Sequence, residues 1–135
     1  MFLYDLSEEE KELYIDLAIA VMEANGDVDD SETELLKRCC HTMQVKYRTK
    51  AVIADYVEVL KKLKDISDES TLKKITIEII TLMYADNDLA NEENEMLDKI
   101  QNIFDFSSHT MGELIFATKH MMLSLSLIQG LTLKA

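Results

Sequence analysis

Proline and tryptophan are absent from this chain, and glycine occurs only three times in 135 residues. A fold built from many short strands needs proline and glycine at its turns, so their shortage argues against an all-β protein and for an all-α one. The only cysteines are neighbours, Cys39 and Cys40. An adjacent pair makes no disulfide framework and fits a reduced, cytoplasmic setting. Cations are also scarce: 14 Lys and Arg stand against 26 Asp and Glu, a formal net charge of −12. That imbalance argues against direct binding of nucleic acid or of an anionic membrane surface. Long apolar runs are missing too. The most apolar late stretch, Ile115 to Leu133, is interrupted by Lys119, His120 and Gln129, so no membrane span is expected. The opening Met-Phe-Leu-Tyr-Asp-Leu is too short, and too close to acids, for a signal peptide. No Ser, Cys or His sits in the pattern of an activated nucleophile, which favours a non-enzyme.

What is present has the balance of a soluble globular protein: 47% hydrophobic and 30% charged residues, enough for one domain over 1–135 with one core. The acidic charge is unevenly placed. Residues 37–74 hold ten cations and five acids, leaving four cations and 21 acids elsewhere.

The dominant pattern is a repeat. Ala24-Asn-Gly-Asp-Val-Asp-Asp-Ser-Glu-Thr-Glu-Leu-Leu36 returns as Ala85-Asp-Asn-Asp-Leu-Ala-Asn-Glu-Glu-Asn-Glu-Met-Leu97, an offset of 61 residues (85 − 24). Each copy ends one apolar helix, turns through a cluster of acids and begins another, so the chain reads as duplicated helical hairpins over approximately 7–43 and 68–104.

Six helices are expected. Ser7 with Glu10 forms a capping box for the first, which runs to Ala24 and stops at Asn25-Gly26. The second starts near Asp29, with Glu32 closing its box, and presents Leu35, Leu36, Cys39 and Met43. After a connector over 45–48, the third is expected from Thr49 to Lys64, burying Val52, Ile53, Tyr56, Val57 and Leu60. The fourth follows a loop over 65–70; its wide stripe, Leu72 to Met83, marks it as central. The fifth spans 91–104. The sixth is capped by Ser107 or Ser108, with Leu114, Ile115, Thr118, Met122 and Leu125 inward. The alternating Leu-Ser-Leu-Ser-Leu-Ile leaves its far end open between helix and extended chain; helix to Ile128 is expected, ended by Gly130.

The acidic turns carry the strongest chemical signal. Six acids and no cation lie between Glu23 and Glu34, and again between Asp86 and Asp98. One reading is that Asp29 and Glu32 cap a helix, Asp27 and Asp88 form turns and the rest is solvated surface; the other is clustered oxygen ligands for a hard cation such as Ca²⁺ or Mg²⁺. An EF-hand is excluded: counted from Asn25, position six is Asp30 and position twelve Leu36, and counted from Asp86, position twelve is Leu97. Cys39-Cys40-His41 is no soft-metal site either, since consecutive helical residues point about 100° apart. Cys39 is expected in the core and Cys40 partly buried. Asp16 and Glu78 are acids within apolar helices, expected at the edges of their stripes; buried, either would be a candidate acid/base.

Helix–Ala-Asp-Gly-x-(Ile/Val)-(Asp/Ser)-x-x-Glu–helix, occurring twice in an all-helical chain of this length, resembles the TerB-like, tellurite-resistance-type domain family. The resemblance implies a non-enzymatic cytoplasmic module with a stress-response role, binding a divalent metal or a basic protein partner through the turns. By position its metal-site residues are Asp27, Asp29 and Glu32, with Asp86, Asp88 and Glu93. The chain departs from the motif at Asn25, Asn87 and Ala90. Two other expectations follow from the residues: an acidic decoy or adaptor occupying a nucleic-acid-binding protein, and a helical enzyme using Asp16 or Glu78.

Overall fold

The computed structural model describes residues 2–24, 26, 30–84 and 91–133, apart from the side chains of 31, 91 and 92. Among the described residues the fold is all-α. A short 3₁₀ turn, Leu3–Asp5, precedes α1 (Glu8–Ala24), α2 (Asp30–Met43), α3 (Tyr56–Ile66), α4 (Glu69–Met83), α5 (Asn91–Ile103) and α6 (Ser108–Leu133).

The repeat holds at the level of elements. Adding 61 to the first residues of α1 and α2, Glu8 and Asp30, gives the first residues of α4 and α5, Glu69 and Asn91. The caps preceding the hairpins correspond as well. Ser7 Oγ accepts from the Glu10 amide at 3.2 Å while Glu10 Oε1 accepts from the Ser7 amide at 2.9 Å. At the equivalent position Asp68 Oδ1 accepts from the Thr71 amide at 2.8 Å. Both hairpins end in the same C-terminal motif. Gln44 and Asp105, also 61 apart, are left-handed at φ 58° and 61°. The next amide in each copy, Val45 or Phe106, donates back to Cys40 or Gln101 at 3.0 Å, closing a Schellman motif. Gly26, at φ 82°, supplies the left-handed residue expected after α1.

Burial repeats too. Ala18/Ile79, Ile19/Ile80, Val21/Leu82, Met22/Met83, Leu36/Leu97 and Met43/Phe104 are all in the core. The centre of that core is α1 together with α4. From Leu13 to Ile19 every residue of α1 is buried, because α2, α3, α4 and α5 surround it. α4, expected to be central, is so, and α1 shares the centre with it.

The third helix of each half packs back on the first, α3 on α1 and α6 on α4. The unit that repeats is therefore three helices long, with a connector after the hairpin of 12 residues (44–55) in one half and four (104–107) in the other.

The structure corrects the sequence expectations for helices three and six. Helix three begins at Tyr56, not Thr49, because Asp55 caps it by accepting from the Val57 amide at 3.0 Å and the preceding segment is held outside any helix by α1. Val52, expected inward, is 78% exposed in that segment. Helix six does not stop at Gly130 but continues to Leu133, since an interior helical glycine weakens a helix without ending it.

Beyond Met122, α6 leaves the body, so Leu125, expected inward, is half exposed. By length and composition α6 is long and apolar enough to cross a membrane, and almost none of it is buried.

Candidate functional site

Of the six residues placed at a metal site by sequence, the structure describes two, Glu32 and Glu93; Asp27, Asp29, Asp86 and Asp88 lie outside the described residues. Glu32 stands in the first turn of α2 and Glu93 in the first turn of α5. Both are buried, at 2% and 1% exposure, and both engage in polar or electrostatic interactions within the fold. Long carboxylate side chains are seldom buried this fully. Two at equivalent positions of a repeat show that the motif glutamate is an inward-facing element of each hairpin, not solvated surface. Among the described residues alone, no group of three or more His, Cys, Asp or Glu side chains converges on a metal-sized point.

Capping explains part of this burial. Glu10, the closing residue of the α1 capping box, is itself 8% exposed and also accepts from the Ser67 hydroxyl. Glu32 occupies the same position relative to Asp29. At the counterpart of Asp29 in the second copy stands Ala90, which has no side-chain acceptor to complete the box.

Asp16 and Glu78 are not at the edges of their stripes: they are 3% and 8% exposed. The Asp16 carboxylate is fully committed. Arg48 Nη1 donates to Oδ1 at 2.7 Å, the Val52 amide to Oδ1 at 2.9 Å, and the Ile53 amide to Oδ2 at 3.0 Å. Arg48 also donates to the Lys50 carbonyl at 2.7 Å and to the Glu12 carbonyl and carboxylate at 3.2 Å. One buried charge and one arginine thus pin the connector between α2 and α3 onto α1. A carboxylate with this set of donors is a structural latch, and a proton acceptor for chemistry would have to break it. Sequence alone carried no sign of this, since the partners lie 32 to 37 residues away.

Glu78 accepts from the Phe2 amide at 3.0 Å. It lies on the wall of an apolar groove of about 240 Å³, bounded by Leu3, by Leu35 and Cys39 of α2, by Ile77 of α4, and by Met121 and Leu125 of α6. The nearby Tyr14 hydroxyl and Cys39 Sγ are 3.9 Å apart. Burial, before any neighbouring charge, raises the Tyr14 phenol well above its ordinary range and the Cys39 thiol to about 11. Burial raises Cys40 as well, and at 1% exposure it is more deeply buried than expected. At neutral pH these thiols are protonated and act as small apolar side chains, not as nucleophiles.

No protein-family model, curated protein or solved structure matches the chain.

Proposed function

We propose that this chain is a non-enzymatic, TerB-like binding module whose two acidic turns take a hard divalent cation, Ca²⁺ or Mg²⁺. The observation that carries this is the matched burial of Glu32 and Glu93, one beside each acidic turn. A buried carboxylate is costly unless a cation or several donors compensate it. Asp27, Asp29, Asp86 and Asp88 would provide the remaining oxygens, by the positions of the family motif. The cytoplasmic, stress-response setting comes from the resemblance alone.

Titration calorimetry with Ca²⁺, Mg²⁺, Mn²⁺ and Zn²⁺ tests it. Saturable heat is expected for at least one of the hard ions, lost in Glu32→Gln/Glu93→Gln while the far-UV circular dichroism is unchanged. Glutamine keeps the length and the carbonyl acceptor of glutamate but not its charge, so it separates ligation from capping. Absence of heat for every ion removes the cation.

A second reading has its own support. The charge of −12, with 21 acids outside residues 37–74, suits a basic protein partner docking on the acidic surface, whether as a signalling contact or as a decoy for a nucleic-acid-binding protein. Capture of such a partner must then weaken steeply with salt. An enzymatic role gains no support from Asp16, whose oxygens are occupied by the latch.

A further inference from the structure

The outer part of α6 is the least explained feature of the fold. Leu123, Leu125, Leu127, Ile128, Leu131 and Leu133 are each between 50% and 84% exposed. Together they present roughly 700 Å² of surface spread around the helix, close to what each partner contributes to a standard interface. Apolar residues face all sides of this helix, with no polar face to turn toward water. A helix of that kind is stable only when covered on more than one side.

The groove bounded by α2, α4 and α6 is open for a reason internal to the repeat. In the first half, α3 packs on α1 and also on α5. The corresponding place in the second half is between α4 and α2. There α6 packs chiefly on α4, and the α2 side is left as the apolar groove. The fold therefore carries, side by side, a helix without enough cover and a slot shaped by its own symmetry to receive one.

We infer that two copies of this chain pair through α6, the outer helix of each lying against its counterpart and filling the partner's α2–α4 groove. Such an arrangement is isologous and closed, and it covers α6 on two sides at once. Local charge permits it: the uncharged stretch 121–133 meets a groove rim bearing one cation, Arg38, and one acid, Glu78.

A lipid bilayer suits this helix less well. The uncharged stretch 121–133 is about 20 Å long, against an apolar thickness of about 30 Å. Lengthening it would draw in Lys119, whose ammonium rests 4.8 Å from the Tyr84 ring, and Thr118, which is buried in the body. Five of its 13 residues are Ser, Gln, Gly or Thr.

Sedimentation equilibrium of the full chain without detergent tests the pairing. The expected mass is twice the 15.5 kDa of one chain. Leu127→Lys on the exposed helix and Thr42→Arg on the exposed groove rim are each expected to weaken the dimer about tenfold or more, since each places a charge in an apolar contact. Unchanged circular dichroism would show that both variants still fold. A chain that stays monomeric up to millimolar concentration overturns the proposal, as does a dimer indifferent to both substitutions. A monomer that floats with phosphatidylcholine vesicles overturns it in favour of lipid.

Discussion

Asp16 is the residue on which most of the irregular structure depends. Its carboxylate joins an arginine and two amides from a segment more than 30 positions away, at 3% exposure. Breaking a buried ion pair by removing one partner costs about 3–5 kcal/mol, because the other partner and the orphaned amides are left uncompensated. Arg48 is partly exposed, with 22% of its side chain accessible, so the lower end applies. Asp16→Ala is expected to lower the unfolding free energy in urea by about 3 kcal/mol. Arg48→Met should cost less, and the double variant less than the sum of the two. Strict additivity would mean that the two side chains do not act as a pair.

At the scale of elements, the two Schellman motifs offer a matched test. Gln44 and Asp105 hold left-handed backbone that glycine adopts without steric cost. Gln44→Gly and Asp105→Gly should each stabilise the protein by about 0.5–1 kcal/mol, raising the melting temperature by a few degrees. A loss of stability at either site would show that the side chain contributes more than its backbone strain costs.

These helix ends also show where sequence reading stops. The capping box of Ser7 and Glu10, the glycine at position 26 and the 61-residue offset were all legible, because each is a local signal with a local cause. The start of α3 was not. Val52, Ile53 and Tyr56 have a helix-like spacing, yet Asp16 captures the amides of Val52 and Ile53 before a helix can use them. Gln44 carries no signature of positive φ, and Asp105 only the weak tolerance that Asp shares with Asn; the geometry is imposed by the hairpin closing over them. Nor did Gly130 end α6, since a stop signal needs a left-handed turn and not merely a glycine. As for the candidate site, sequence marked Glu32 and Glu93 by their place in the repeat, but only packing could reveal that both face inward. The groove was invisible because its walls come from four separate segments.

For the molecule as a whole, charge is the dominant global term. With 26 acids against 14 cations, the folded state concentrates like charge, and self-repulsion works against compactness. Raising NaCl from about 0.01 M to about 1 M shortens the screening length from about 30 Å to about 3 Å. The melting temperature is therefore expected to rise across that range, monitored by circular dichroism at fixed pH and without divalent cations. A melting temperature that falls would indicate that attractive pairs such as Arg48–Asp16 outweigh the repulsion.

The two halves have diverged at one telling position. Asp16, on α1, corresponds to Ile77, on α4. In the first half that site is ionic and ties down a connector, while in the second it is apolar and lines the open groove. One half of the molecule is in this sense finished and the other receptive. Substitutions around α3 should be felt as changes in how well a single chain folds, and substitutions around the outer α6 as changes in the company it keeps. A duplicated fold of this kind can let one copy bear the burden of staying folded and leave its twin free to change partners.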